Sequence, residues 1–339
     1  MTRSTTRPPP HEVSGGLDLR ARGRAVLGDR AFRAITLGAA LLVLAILALI
    51  LVTTLRQAWP AFSQEGIGFF TSEVWSPNDP DGSGPEQARF GTLALSFGTL
   101  VVSLIAVIIA VPVSIAIALF LTELAPRRVR TAIVTVIDLL AAVPSVVFGL
   151  WGILVVGPAL VPVYQWLHDL LGGVPLLGAL FGEANQGRTV MTAGLIVAIM
   201  IVPIITSITR EVFATVPDAD KQAALALGAT RWEMIRGAVF PHSFGGMVGA
   251  VMLGLGRAMG ETIAVALVIG AAIQITPNLF ATGEALPSII VRQFGESGGV
   301  HTAALIGCGV VLFVITVIIN YLARFVVNRA EVRMRGAKA

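Results

Sequence analysis

Thr215-Val-Pro-Asp-Ala-Asp-Lys-Gln-Ala-Ala-Leu-Ala-Leu-Gly-Ala-Thr-Arg-Trp-Glu-Met-Ile-Arg-Gly-Ala-Val-Phe-Pro241 is a polar, helix-forming stretch between two apolar blocks, each long enough to cross a membrane. Thr215-Val-Pro-Asp218 has the form of a capping box with Pro217 in the first turn. The residues from Asp218 to Leu227 are rich in strong helix formers, and Gly228 is placed to end that helix in the left-handed conformation. Thr230-Arg-Trp-Glu233 is a second capping box, whose helix runs toward Pro241. The expectation is a helix–Gly–helix elbow on the inner membrane face, with Ala223, Ala224 and Ala226 forming a shallow surface that a groove in another protein encloses.

Composition agrees with a membrane protein. Of the 339 residues, 55% are hydrophobic and only 13% charged, and the mean hydropathy is +0.84. A soluble domain averages about 25% charged residues. Six apolar blocks can be marked, at 34–55, about 92–121, about 132–156, 189–209, about 243–272 and 302–323. Pro112, Pro144 and Pro203 lie inside them as kink positions. The fold class is therefore all-α and polytopic, with six transmembrane helices. Its parts are a disordered basic tail over 1–33, a six-helix domain over 34–328 and a tail over 329–339. The first 33 residues contain no apolar core of a signal peptide.

The basic residues set the orientation. Segments 1–33, 122–131, 210–242 and 324–339 hold 19 of the 24 Lys and Arg residues, whereas 56–89, 157–188 and 273–301 hold 4. The positive-inside rule places the first set, with both termini, in the cytoplasm. The 56–89 segment is the longest external one, either a solvated spacer or a receiver for an external partner. The remaining arginine, Arg257, lies inside the fifth block with Glu261, four residues on and on the same face of a continuous helix. Two readings stand: a site in a passage, or an interhelical salt bridge that fixes packing. Gly245, Gly249, Gly254, Gly256 and Gly260 lie on the same span, as helix-packing positions or as a pathway lining. Thr262 either donates a hydroxyl to substrate or bonds its own helix.

Other chemistry is sparse. Asp138 reads as a structural acid two turns into the third span. His168, His242 and His301 are scattered at span edges and form no metal-ligand set. Cys308, the one cysteine, reads as an apolar filler. No G-x-x-x-x-G-K-[ST] loop occurs, so an ATPase, if transport is ATP-driven, is a separate chain.

The pattern Gln222-Ala-Ala, three residues, Gly228, nine residues, Ala238-x-Phe-Pro241 resembles the EAA loop of ABC importer permeases, with Gln in place of Glu, Ala238 in place of Ile and Phe240 in place of Leu. Val143-Pro-Ser-Val-Val-Phe-Gly-Leu-Trp-Gly152, Ile109-Ala-Val-Pro112, Phe120-Leu-Thr-Glu-Leu-Ala-Pro126 and Gly254-Leu-Gly-Arg-Ala-Met-Gly-Glu-Thr262 resemble the PstC/PstA family of phosphate permeases. The 56–89 segment and the Asn320-Tyr-Leu-Ala-Arg324 ending are more similar to PstC. The resemblance implies a MetI-like type I importer permease fold and phosphate import by alternating access. It implies no cofactor on this chain, with ATP and Mg used by two PstB-like ATP-binding subunits. A PstA-like permease subunit and an external PstS-like phosphate-binding protein complete the implied assembly; nucleic acid has no place in it. Gln222, Ala223, Ala224, Gly228 and Pro241 would form the coupling contact with the ATPase. Arg257, Glu261 and Thr262 would line the substrate pathway, with Glu261 either holding Arg257 in the empty state or accepting the proton of hydrogen phosphate. The rival readings are a PstA-type subunit, an ABC permease for another solute, a secondary anion transporter or channel, and an intramembrane enzyme, for which only Arg257 with Glu261 offers an intramembrane pair.

Overall fold

The computed structural model describes residues 23–77, 88–175 and 177–336. Among them, six helices are long and apolar enough to cross a membrane: Gly28–Glu65, Leu93–Leu124, Ser145–Leu171, Val190–Ala214, Arg231–Gly260 and Gly299–Phe325. The chain divides into two units, Met1–Thr53 and Thr54–Ala339.

The first unit is the leading part of helix α1, Gly23–Glu65. Its start corrects the predicted tail, because 23–33 are already helical; 1–22 lie outside the described residues. From Ile35 to Val52 its large apolar side chains are exposed around the helix, the pattern of a segment suited to lipid on every side. Thr36 and Thr53 donate their hydroxyls to the carbonyls of Phe32 (2.9 Å) and Leu49 (2.8 Å), so neither presents a bare polar group.

The second unit begins with the end of α1 and then folds parts of the 56–89 segment, expected as a solvated spacer or a receiver for an external partner. Helix α2 (Gly68–Thr71) and a two-stranded hairpin, β1 (Trp75–Ser76) with β2 (Arg89–Phe90), pair Trp75 with Phe90. Residues 78–87 lie outside the described ones. Phe62, Phe69, Trp75 and Phe90 fill an aromatic core there, with Trp75 and Phe90 ring centroids 5.0 Å apart at 71°.

Helix α3 (Leu93–Leu119) continues through a π turn at Phe120–Leu124. Next comes α4 (Arg127–Ala142), which corrects the third predicted span. The chain breaks at Val143–Pro144, both extended, and the long apolar element is α5 (Ser145–Trp151), a π turn at Gly152–Val156 and α6 (Gly157–Leu171). Pro144 therefore ends one helix and starts another instead of kinking one. On α4, Ile133, Val134 and Ile137 pack against Leu121 and Ala125, while its arginines and Asp138 are exposed. Asp138 thus lies outside the span. The charge asymmetry survives this shift, since Arg127, Arg128 and Arg130 stay before the span and Arg188 after it.

Short α7 (Leu177–Leu180) leads to α8 (Val190–Ala214), the most buried of the six spans. Gly194 lies against Ile105, and Ser114 donates to the Val202 carbonyl at 3.2 Å, so α3 and α8 run parallel. The elbow follows as α9 (Asp218–Ala226) and α10 (Arg231–Met234). A π turn at Ile235–Val239 joins α10 directly to α11 (Phe240–Gly260). Pro241 does not stop the helix, because the widened turn ahead of it relieves the clash that proline makes with the preceding turn. Gly246 faces Val212 and Gly254 faces Ile205, which makes α11 antiparallel to α8. These directions are those of successive membrane crossings.

The fifth predicted span is also corrected. Helix α11 ends at Gly260, Glu261 is extended (ψ 124°), and α12 (Ile263–Val268) starts anew. Gly149 lies against Ala264 and Leu267, and Gly152 against Val268, so α5 and α12 pack side by side in the same direction. An irregular stretch then leads to α13 (Leu286–Gln293) and α14 (Gly299–Gly336). The predicted 329–339 tail is helical as far as Gly336, and 337–339 lie outside the described residues. Cys308 is fully buried, the filler expected of it.

Candidate functional site

One side of α11 is rich in glycine. A Cβ added at Gly249, Gly256 or Gly260 would meet nothing within 4 Å. Glycines packed against a neighbouring helix leave no such room, as Gly254 does not against Ile205. This open side carries Arg257. Ile204, Leu253, Gly256, Arg257, Gly260 and Glu261 line a concavity of about 460 Å³. A groove of about 430 Å³ adjoins it, between Gly245, Gly249, Met252 and Gly256 of α11 and Asn320 and Arg324 of α14.

Arg257 is exposed and makes no hydrogen bond or ion pair among the described residues, where the only two ion pairs are Lys221–Glu123 and Arg292–Glu284. The salt-bridge reading of Arg257 with Glu261 is therefore not realised. The reason is the break: with Glu261 extended, the two residues no longer share a helical face. Glu261 is buried instead, and its Oε1 accepts from Ala264 N at 3.4 Å in the first turn of α12. Thr262 donates its hydroxyl to the Gly260 carbonyl at 3.0 Å, so in this state it bonds its own backbone. Arg257, Gly260 and Glu261 line one concavity; Thr262 is the adjoining residue.

The elbow is a second candidate region. Gly228 has φ +86°, and Gly228 N donates to Leu225 O (3.0 Å) while Ala229 N donates to Ala224 O (3.2 Å), the paired bonds of a Schellman stop. The second capping box forms: Glu233 N donates to Thr230 Oγ1 (3.3 Å), and Thr230 N donates to Glu233 Oε2 (2.7 Å). The first does not. Pro217 occupies the cap position of α9, and Thr215 instead donates its hydroxyl to Val212 O at 2.7 Å, closing α8. Asp218 and Asp220 in the first turn of α9 oppose the positive end of its dipole.

Gln222, Ala223 and Ala226 are exposed, whereas Ala224 turns inward against a cluster of Phe213, Val216, Met234, Ile235 and Val239. Two apolar residues absent from the sequence-based expectation complete the outer surface, Leu227 at 89% exposure and Trp232 at 60%. Both flank the Gly228 turn, and a large apolar residue beside a predicted helix stop was the available clue. Lys221 pairs with Glu123 at 2.7 Å, a contact across 98 residues that no local pattern reveals.

The three histidines among the described residues are engaged elsewhere or exposed. His168 Nδ1 lies 2.8 Å from Phe181 O, His301 Nε2 lies 3.0 Å from Gln293 Oε1, and His242 faces outward. A buried group that the sequence left unmarked is Glu284, which Arg292 and Ser288 contact beside α13. Partial burial lowers the pKa of the Arg292 guanidinium.

The family model for the binding-protein-dependent transport system inner membrane component matches residues 110–332. The phosphate transport system permease protein PstC of Mesorhizobium japonicum is 42% identical over 91% of this chain and 93% of its own. PstC of Xylella fastidiosa is 39% identical, over 96% of this chain and 97% of the relative. PstC 2 of Mycobacterium tuberculosis is 42% identical, over 91% and 93%. A bacterial alginate ABC transporter, solved with an alginate-bound periplasmic protein, superposes with a TM-score of 0.56 over 89% of this chain and 97% of that one, at 17% identity. At that identity the likeness speaks for the fold.

Proposed function

This chain belongs to the inner-membrane components of binding-protein-dependent transport systems and, within them, to the PstC phosphate permeases, and on that premise we propose how its residues move phosphate. It is the permease subunit of a phosphate ABC importer, and ATP hydrolysis belongs to other subunits of the complex. The observation that carries the proposal is Arg257, unpaired among the described residues, on the open glycine side of α11.

A phosphate ion entering a low-dielectric passage must exchange water for donors and positive charge. Guanidinium stays charged and offers a planar fork that matches two phosphate oxygens. An arginine at the centre of a span costs from about 2.5 to more than 10 kcal/mol and less toward a helix end, and Arg257, in the last turn of α11, still calls for a polar cavity or an anion. The glycines leave room for an ion to reach that fork. Glu261 lines the same concavity. A carboxylate there accepts a hydrogen bond from the hydroxyl of hydrogen phosphate, a donor that sulfate lacks, and a site built for a hydrogen-bond donor rejects the analogue without one.

In this reading the open side of α11 meets a homologous, PstA-like permease subunit, and the ion passes between the two. Both termini and the elbow face the cytoplasm, as the distribution of basic residues favours. Gln222, Ala223, Leu227 and Trp232 enter a cleft of a PstB-like ATPase subunit. A PstS-like protein delivers phosphate to the opposite face, where the hairpin and α13 lie. Closure of two ATPases pushes on the elbow, and because α10 continues into α11 without a stop, the push reaches the helix that carries Arg257.

Uptake of labelled phosphate tests the selectivity in cells that lack the gene. Restoring it is expected to restore uptake that excess sulfate does not reduce. Equal competition by sulfate, or no restoration, would overturn the proposal.

A further inference from the structure

Among the described residues, Lys221 and Glu123 form the one ion pair at the elbow. Lys221 Nζ lies 2.7 Å from Glu123 Oε1, and the side chains keep only 16% and 11% of their exposure. Two charges so far removed from water stay together, because separating them would leave each without a partner. Lys221 belongs to α9, and Glu123 to the π turn that ends the second span. The same turn is also held by Arg130, whose Nη2 donates to Thr122 O at 2.9 Å. Glu123 is therefore a fixed anchor, and the Lys221 stem crosses from the elbow to it.

At its far end α3 is gripped again. Leu286 N donates to Thr99 Oγ1 at 2.9 Å, and Gly98 lies directly against the Glu284 carbonyl, too close for any side chain. Helix α3 thus joins the elbow at one end to the segment that starts α13 at the other.

We propose that Lys221 and Glu123 are positioning residues for transport, the strut by which movement of the elbow displaces α3 and, through it, the α13 segment. The inference rests on the reading that an ATPase drives the elbow. It adds a second line of transmission beside the covalent one into α11, so that one push moves two spans.

The test uses the complete complex with its ATPase and binding-protein partners in proteoliposomes. It measures phosphate moved per ATP hydrolysed, together with the ATPase subunit retained on the permease. Lys221→Met and Glu123→Gln are each expected to lower the phosphate-to-ATP ratio about fivefold or more while the ATPase stays bound. The charge-reversed pair Lys221→Glu with Glu123→Lys is expected to recover most of the ratio, as interacting partners do in a double-mutant cycle. An unchanged ratio in the single variants would overturn the strut. So would a loss explained wholly by a missing ATPase subunit, with a normal ratio in the complexes that remain, or a reversed pair no better than the singles. If the wild-type complex moves no phosphate, the failure belongs to the underlying functional reading and not to the pair.

Discussion

Arg257→Gln is expected to abolish phosphate uptake while leaving the permease folded and bound to its ATPase. The separation of these effects follows from the geometry. Arg257 has no internal partner among the described residues, so its removal breaks no ion pair or hydrogen bond within the chain. Substitutions away from such contacts usually stay within about 0.5 kcal/mol in stability. Transport is another matter. Two charge-assisted hydrogen bonds to phosphate are worth about 3–6 kcal/mol together, and each 1.36 kcal/mol is tenfold in rate. A loss on the order of a hundredfold or more is expected. Arg257→Lys keeps the charge and loses the fork, so it is expected to fall between the two. Uptake of labelled phosphate, measured beside co-purification of the ATPase subunit, checks both halves. Wild-type uptake by Arg257→Gln would remove Arg257 from the pathway.

Gly228→Val acts through the backbone alone. A Cβ at this position would touch nothing within 4 Å, so crowding is not the cost. The cost is the left-handed φ of +86°, about 1–2 kcal/mol for an ordinary L residue and more for a β-branched one. The two bonds that stop α9 depend on that conformation. If the residue reverts to an ordinary φ, the turn between α9 and α10 opens and Leu227 and Trp232 no longer present one surface. The expected result is at least tenfold weaker retention of the ATPase subunit, or loss of its stimulation by phosphate-loaded binding protein. Gly228→Asn supplies the control, since asparagine tolerates the left-handed region and is expected to preserve most of the coupling. Equal effects of Val and Asn would contradict this account of the elbow.

Much of the elbow was legible because its determinants are local. Gly228 stops a helix and Thr230-x-x-Glu233 starts one by contacts that span a few residues. The number of spans was legible because the apolar blocks are long and the arginines alternate between their connections. The register of the third span was not. The apolar face of α4 merges in composition with the span that follows, and Pro144 is compatible with a kink as well as a break. The break at Glu261 was also hidden. No proline marks it, and hydropathy averages over a helix end as readily as over a helix interior. Its consequence is chemical, because a supposed i, i+4 pair becomes an unpaired arginine and a separately buried acid. The folded hairpin, the Lys221–Glu123 pair and the Glu284 cluster depend on contacts between distant segments, which only the tertiary structure brings together.

This permease is expected to pass phosphate only when an ATPase drives its elbow. The most direct measurement is phosphate accumulation in proteoliposomes that hold the purified chain alone, compared with the complete complex supplied with binding protein and ATP. The account predicts accumulation by the complete complex only, and none when its ATPase subunits cannot hydrolyse ATP. Accumulation by the chain alone, driven by an ion gradient or by no energy source, would contradict it.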